Sequence, residues 1–238
     1  MRSIWRTLDR DLARDIGLVC LADLVVGVSY GAITVTSGFP VWAPMLLSLL
    51  VFAGASQFMF VGIVASGGNP IAAVVAGLLA NARHLPFGFA IGDVLGERWA
   101  SRLVGSHLMI DESVAFALAQ RDADRRRAAY WACGIGLFVC WNLGVVVGAF
   151  AGTVISDTDA LGLDAAFPAV MFALVLPSLK DRATRLPVLV GVVVALATTP
   201  FLPAGLPVLL ALVGVLAGVV AKDPAERPEP VPEPEEVC

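Results

Sequence analysis

Long apolar runs alternate with short polar clusters along this chain, and the pattern predicts a bundle of membrane-spanning helices. Several runs reach the roughly 20 residues that a spanning helix needs. The fourth, sixth and seventh runs are shorter, so we expect half-helices, re-entrant segments or spans in a thinned bilayer there. The eight apolar stretches cover residues 16–37, 42–66, 70–92, 103–119, 129–152, 164–179, 186–200 and 206–221.

The composition also indicates a membrane protein. The chain has 238 residues, of which 58% are hydrophobic and 15% are charged, whereas a soluble domain carries about 25% charged residues. The predicted fold class is all-α, a polytopic membrane helix bundle of about eight spans, some of them short or broken by proline. We predict a cytoplasmic amphipathic lead-in over residues 1–15, a transmembrane domain over 16–222, and an acidic Pro/Glu-rich disordered tail over 223–238.

The basic residues predict the orientation of the chain. Clusters of arginine and lysine precede the first stretch and follow the fourth, sixth and eighth. With eight crossings these clusters share one side, which the positive-inside rule makes cytoplasmic, and both termini then lie in the cytoplasm below a plasma membrane. A seven-span alternative would misplace at least one basic cluster. One loop does not follow the rule, because Arg98 and Arg102 fall on the outer side. Asp93 and Glu97 offset their positive charge.

A few ionisable and amide side chains interrupt the apolar stretches. Each charged group in hydrocarbon costs about 2.5–3.5 kcal/mol even on the lenient insertion scale, so such groups persist where they pair or line a wet cavity. We therefore take them as a candidate substrate or proton pathway. The candidate residues are Asp23, Gln57, Asn81, Arg83, His84, Asp111, Glu112 and Asn142.

Three of these side chains fall at similar depths. Gln57 and Arg83 each lie about 20 Å along their predicted helices, and Asp111 lies near the centre of the short fourth stretch. Polar groups that separate helices place at the bilayer midplane are expected of a transporter binding site. Pro86 removes one helical hydrogen bond, so the backbone near Arg83 and His84 is predicted to be broken or kinked.

The charged residues leave several roles open. Arg83 could hold a substrate carboxylate, since a guanidinium matches that geometry, or it could form a structural ion pair with Asp111 or Glu112. The two carboxylates could contact an ammonium group or carry a coupling proton, or one of them could simply neutralise Arg83. Asp23 could accept a proton or pair with a loop arginine. His84 could relay protons, or it could be a hydrogen-bonded packing residue.

The amides have an equally ordinary alternative. Gln57 and Asn81 carry neutral dipoles suited to binding, yet interhelical hydrogen bonds between such side chains are common in membrane bundles. For Asn142 the packing interpretation is favoured. No CxxC pair or other ligand spacing indicates a metal site, and we predict no cofactor.

These residues give the chain a resemblance to a known family. The segments FAGASQF, NARHLPFG, a DE pair in the fourth stretch and GLDAAFPAVMFALVLP resemble the AzlC family, over roughly residues 15–220. The resemblance implies a large subunit that exports valine, leucine, isoleucine and sometimes methionine, driven by the proton gradient. It also implies a small AzlD-like partner subunit in the membrane. The signature positions that it carries over are Gly54, Gln57, Asn81 and Arg83.

Two other functions are compatible with the sequence. A channel-like or structural membrane subunit that needs a partner for activity is the main alternative. An intramembrane serine protease is a remote one, in which Ser56 would pair with His84 or His107. The sequence lacks a Walker A pattern, so it gives no support to a nucleotide-driven permease. We therefore expect a transporter and not an enzyme.

Overall fold

The computed structural model describes residues 8–155, 172, 176, 179, 182–202, 206–214 and 218. Every regular element among these residues is helical, which confirms the predicted all-α class for this part of the chain. Chain contacts divide the protein into two compact units, Met1–Ala173 and Leu174–Cys238. The predicted tail and nearly all of the predicted sixth stretch lie outside the described residues.

The first unit contains eight helices among its described residues. Three segments are long and apolar enough to cross a membrane: Arg10–Thr36, Pro70–Ile91 and Ala123–Ala151. Two shorter apolar helices cover Trp42–Val51 and Gly54–Ala65. The helices are α1 (Arg10–Thr36), α2 (Trp42–Val51), α3 (Gly54–Ala65), α4 (Pro70–Asn81), α5 (His84–Ile91), α6 (Trp99–His107), α7 (Asp111–Leu118) and α8 (Ala123–Ala151).

Two long helices, α1 and α8, start at the same end of this unit. Each is capped by an aspartate, because Asp9 accepts from the Leu12 N–H and Asp122 accepts from the Arg125 N–H, both at 2.9 Å. The Arg125 guanidinium also forms an ion pair with Asp9, which ties the two helix starts together. We call this end, which carries the arginines of residues 125–127, the basic end, and the opposite one the far end.

Glycines bring α1 and α8 into backbone contact along a parallel path. A Cβ atom on Gly144 would lie 2.3 Å from the Leu24 carbonyl oxygen, and one on Gly148 would lie 2.0 Å from that of Val28. Spacing of four residues places both glycines on one face of α8. Small residues at such spacing allow membrane helices to pack without the separation that side chains impose.

The second apolar stretch folds back on itself as a helical hairpin. Phe39, just before α2, packs against Phe60, near the end of α3, with ring centroids 6.5 Å apart. A straight helix from residue 42 to residue 60 would separate these levels by about 27 Å. The chain reverses at Phe52, whose φ of 38° is left-handed and ends the helix. Hairpin 1, made of α2 and α3, therefore enters from the far end and returns to it.

The fourth stretch forms a second hairpin from the other direction. The loop before α6 lies at the basic end, because Asp93 pairs with Arg126 at 3.3 Å. The end of α7 leads within four residues to the start of α8, which lies at the same end. Hairpin 2, made of α6 and α7, therefore enters from the basic end. The two tips meet, since the rings of Phe52 and His107 lie 6.1 Å apart between centroids.

These paths correct two expectations from the sequence. The stretch over 42–66 does not cross the bundle, whereas the stretch over 103–119 forms half-helices, which is one of the forms expected for it. Two half-helices hold as many apolar residues as one crossing, so hydropathy alone does not show the reversal. Arg98 and Arg102 consequently lie toward the basic end and not on the outer side, so their loop is no longer an exception to the positive-inside rule. In addition α1 begins at Arg10, so residues 10–15 of the predicted lead-in continue into the first span.

Buried apolar side chains form two clusters within the first unit. In the first, Tyr30 stacks on Trp141 and meets Phe58 edge to face, which joins α1, α3 and α8. In the second, Ile91 and Val114 pack around Tyr130, which joins α5, α7 and α8. Hairpin 1 thus packs near the far end and hairpin 2 near the basic end, which fixes where their tips meet.

The second unit contains two helices among its described residues. They are α9 (Arg182–Thr198) and α10 (Leu206–Leu210), and they match the starts of the stretches predicted over 186–200 and 206–221. The backbones approach closely here too, since a Cβ on Gly214 would lie 2.2 Å from the Pro187 carbonyl oxygen.

Candidate functional site

Three helices begin in the middle of the first unit. The helices α3, α5 and α7 start at Gly54, His84 and Asp111, each after a break in a longer apolar stretch. The starts of α3 and α7 leave backbone N–H groups without helical acceptors and carry partial positive charge, whereas the junction before α5 is a turn at Ala82 and Arg83 whose dihedrals stay helical. The break before α5 confirms the prediction made from Pro86, which lies in the first turn of α5, where a proline needs no hydrogen-bond donor. These starts create polar backbone within apolar surroundings.

An ion pair joins two of these breaks. The Arg83 Nη1 atom lies 2.5 Å from the Asp111 Oδ2 atom, with the two side chains 40% and 28% exposed. The other carboxylate oxygen of Asp111 is buried and accepts no hydrogen bond. Of the two partners open to Arg83 from the sequence, the structure therefore selects Asp111. The pair remains partly accessible and keeps one acceptor free.

Two further carboxyl groups extend this pair. Glu112 lies within electrostatic range of Asp111, Arg83 and Asp23. The Asp23 Oδ2 atom is buried without a hydrogen-bond partner, and its neighbour is Glu112 and not a loop arginine. We call these four residues the charged cluster. Three carboxyl groups beside one guanidinium leave negative charge that a proton or a ligand cation must offset in a dry environment.

The two amides lie in different places. Gln57 is 2% exposed, and neither atom of its amide makes a hydrogen bond. The nearby Tyr30 hydroxyl also lacks a bond of normal geometry. The Asn81 Oδ1 atom is likewise buried and unpaired, whereas its backbone carbonyl lies 2.8 Å from the His84 Nδ1 atom. No ion pair or hydrogen bond among the described residues joins Gln57 to the charged cluster.

Asn142 is used for packing between helices. Its Oδ1 atom accepts from the Ser48 hydroxyl at 2.7 Å, and its Nδ2 atom donates to the Phe138 carbonyl at 2.8 Å. The amide therefore fastens hairpin 1 to α8. This matches the packing interpretation that the sequence favoured for it.

The serine and histidine residues do not form a nucleophile–base pair. The Ser56 hydroxyl donates to the Ala53 carbonyl at 2.9 Å, as a local contact at the start of α3. His84 contacts the Asn81 carbonyl, and His107 packs against aromatic rings at the hairpin tips. Each of these described side chains is engaged elsewhere, so the geometry gives the protease interpretation no support.

A groove between α5 and α6 contains a residue that the sequence analysis placed in an outer loop. The groove is open along one side, has a volume of about 640 Å³ and leads toward the break before α5. Arg102 lies within α6 and lines it. The spacing of Arg102 and Ser106 places them on one face of α6, and this is the signal that could have revealed the groove. Its main lining residues are Asn81, His84, Leu85, Phe89, Arg102 and Met109.

Comparison with known proteins gives the family. The sequence profile of the AzlC protein family matches residues 18–155, which covers both hairpins and the charged cluster. An uncharacterized membrane protein of Archaeoglobus fulgidus is 30% identical over 177 residues, which is 74% of this chain and 78% of that protein. The inner membrane protein YgaZ of Escherichia coli is 27% identical over 168 residues, which is 68% of this chain and 65% of that protein.

A relative with a transport name is similar over a shorter region. The branched-chain amino acid transport protein AzlC of Bacillus subtilis is 31% identical over 90 residues, which is 38% of this chain and 35% of that protein. No solved structure matches this chain. The extent of the profile match and the similarity to the archaeal protein together place this chain in the AzlC family of membrane proteins.

Proposed function

We propose that this chain is the large subunit of a secondary transporter that exports branched-chain and other small apolar amino acids across the plasma membrane. The observation that carries the proposal is the meeting of two opposed hairpins at mid-depth, with the Arg83–Asp111 pair at the tip of hairpin 2. Broken helices of this kind place backbone dipoles at the centre of transporters. The name of the Bacillus subtilis relative supports the substrate class.

The hairpins suit alternating access. Hairpin 1 closes the centre from the far end, and hairpin 2 closes it from the basic end. Small displacements of either hairpin against α1 and α8 would open the centre to one side at a time. The fixed part is the glycine-packed pair of α1 and α8, whose backbones are already in contact.

The charged cluster suits a zwitterion. A substrate carboxylate can take the place of Asp111 on Arg83, which keeps the guanidinium paired throughout the exchange. The substrate ammonium group can then bind the released Asp111 carboxylate or Glu112. Exchange keeps both charges paired at every step, whereas simple opening of this partly accessible pair would leave the guanidinium and the carboxylate without partners.

Proton coupling is assigned to Asp23 and Glu112. Their carboxyl groups lie within electrostatic range of each other, and one oxygen of Asp23 is buried and unpaired. A single proton between them removes the repulsion, so the pair can bind a proton from one side and release it to the other. The Asp23→Asn and Glu112→Gln variants should each make export insensitive to the pH gradient while exchange of labelled for unlabelled leucine persists. Export that keeps its dependence on the gradient in both variants would remove this assignment.

Efflux of labelled valine and leucine tests the main proposal. It is measured from cells that express the chain with and without a small partner membrane subunit, which we propose to be required. Arg83→Ala and Asp111→Ala should each abolish export, and the swap of Arg83→Asp with Asp111→Arg should restore part of it. Arg98→Ala is the matched control, because Arg98 is exposed and makes no ion pair within the described part of the chain.

The outcomes separate the alternatives. If neither valine nor leucine leaves the cells under any condition, the substrate class is wrong. Efflux that needs the partner but tolerates loss of both Arg83 and Asp111 would instead make this chain a structural subunit.

A further inference from the structure

We propose that the groove between α5 and α6 is a second binding site, at which an apolar amino acid is held through its carboxylate by Arg102 before it reaches the charged cluster. The inference rests on the proposed function and adds a residue and an access route to it. The substrate class is a zwitterion with an apolar side chain.

The position of the groove makes it a route from the basic end to the centre. Gly92, which follows α5 near the basic end, and Asn81, at the break before α5, both line it. About 16 Å of helix separates these two levels. Arg102 lies in the first turns of α6, near the basic end, and Met109 lies at the tip of hairpin 2. For an exporter with a cytoplasmic basic end, this route faces the substrate pool.

Arg102 lines the groove without an acceptor among the described residues, whereas Arg98, which also makes no ion pair there, lies outside the groove lining. Arg83, Arg125 and Arg126 each pair with an aspartate, whereas the Arg102 side chain makes no ion pair or hydrogen bond with any described residue. Its guanidinium presents a planar fork that binds a carboxylate through two parallel hydrogen bonds. An unpaired guanidinium beside an apolar groove therefore favours an anionic group from outside the chain.

A buried acceptor lies at the other end of the groove. The Asn81 Oδ1 atom accepts no hydrogen bond, and the ammonium group of a substrate that has moved along the groove toward the centre would supply a donor there. Between the two, Leu85 and Phe89 present apolar surface, 69% and 90% exposed, and Met109 closes the wall. The groove is open along one side, and its volume of about 640 Å³ lies within the range of small-molecule sites. An amino acid bound to Arg102 through its carboxylate can thus place its apolar side chain on this surface, and its ammonium group would reach Asn81 only after the molecule moves along the groove.

Protection of a cysteine in the groove tests the site locally. Ser106 is exposed and lines the groove, so Ser106→Cys is made in the full chain with its native cysteines replaced by alanine. The protein is purified into phosphatidylcholine nanodiscs, and its rate of maleimide labelling is measured with and without leucine. Leucine should slow labelling, and Arg102→Gln should raise the leucine concentration needed by about tenfold or more.

Matched variants and ligands sharpen the expectation. Arg98→Gln, one turn earlier and outside the groove lining, should leave protection unchanged, and Arg102→Lys should retain part of it because the charge remains. Isopentylamine, which lacks the carboxylate, should protect poorly and to the same extent with and without Arg102. Isocaproate, which lacks the ammonium group, should protect in a manner that still depends on Arg102.

Several results would overturn the inference. These are absence of protection by leucine, or protection that Arg102→Gln leaves unchanged. A third is protection that appears only when phosphatidylglycerol is added, since Arg102 would then hold a lipid phosphate. Failure of the proposed function is distinguishable, because Arg83→Ala should block export while groove protection persists. Leucine protection in a chain that exports no amino acid would therefore reject the transport proposal alone.

Discussion

The glycine contact between α1 and α8 allows a prediction with a magnitude. In Gly148→Ala the new Cβ atom would lie 2.0 Å from the Val28 carbonyl oxygen, whereas ordinary contacts begin near 3.4 Å. Both neighbours are backbone, so the helices must separate by roughly 1.4 Å at this level. A gap of 0.5–1 Å already forfeits about a quarter to a half of each dispersion contact beside it.

The net effect is a loss of stability. Overpacking of this kind costs about 1–3 kcal/mol, and the lost contacts along the helix pair add to it. The better helix propensity of alanine returns about 1 kcal/mol. We therefore expect Gly148→Ala to lower the free energy of unfolding by about 1–3 kcal/mol. Gly17→Ala in α1 and Gly62→Ala in α3 are the controls, because nothing lies within 4 Å of an added Cβ at either position.

Unfolding of the purified chain in detergent micelles measures the effect. Titration with sodium dodecyl sulfate is followed by tryptophan fluorescence, to which Trp141 contributes from the same helix. Gly148→Ala should shift the unfolding midpoint to a lower concentration of sodium dodecyl sulfate. The midpoints of both controls should stay unchanged or rise slightly. Because Gly144→Ala forces the same helices apart, adding it to Gly148→Ala should cost less than the sum of the two. If Gly148→Ala is as stable as Gly62→Ala, the close approach of α1 and α8 is refuted.

Three further predictions test the hairpins, a helix cap and a buried bond. If hairpin 1 returns to the far end, cysteines introduced by Ser37→Cys and Ser66→Cys, which flank it and are both exposed, should be labelled by an impermeant maleimide from the same side of the membrane; labelling from opposite sides would mean that hairpin 1 crosses. The first-turn N–H bound by Asp9 holds the pKa of that carboxyl below its ordinary 3.8. The stabilisation that the ionised Asp9 carboxylate gives the folded chain is therefore present above pH 3.8. It is lost as the pH falls through the lowered pKa of Asp9 in the folded chain. Asp9→Asn should thus flatten the fall in unfolding midpoint below pH 3.8, and an unchanged acid profile would count against the cap. Tyr130→Phe removes a buried 2.7 Å bond to the Gly105 carbonyl and should cost about 1 kcal/mol in the same detergent titration. No measurable change would mean that this bond does not hold hairpin 2 to α8.

The site was partly visible from residue type and spacing. Asp111 and Arg83 stand out because charges inside apolar runs are costly, and Pro86 marks a helix break because it lacks an N–H. Their pairing rests on a contact between residues 28 positions apart in the chain, for which Glu112 was an equal candidate by sequence. The choice is geometric, since Asp111 is the first residue of α7 and faces the break at Arg83.

Arg102 was misplaced for a different reason. Arg102 falls between the stretches predicted over 70–92 and 103–119. It lies in an outer loop only if residues 103–119 cross the membrane as one helix. The structure extends α6 back to Trp99, which turns Arg102 into a helical residue beside α5. An error in the path of the backbone thus becomes an error in the role of a side chain.

The sequence by itself determined that this chain forms apolar helices, where one of them breaks, and which side chains are too costly to leave unpaired in a membrane. These properties depend on the transfer free energy and hydrogen bonding of nearby residues, so local composition is enough to determine them. Only the tertiary structure decided that two apolar stretches turn back, that their tips meet at Phe52 and His107, and that Arg83 pairs with Asp111. Contacts between distant residues fix these features, such as Phe39 with Phe60 and Asp93 with Arg126. A half-helix buries its apolar side chains equally well in either direction, so hydropathy cannot set the direction in which the chain returns.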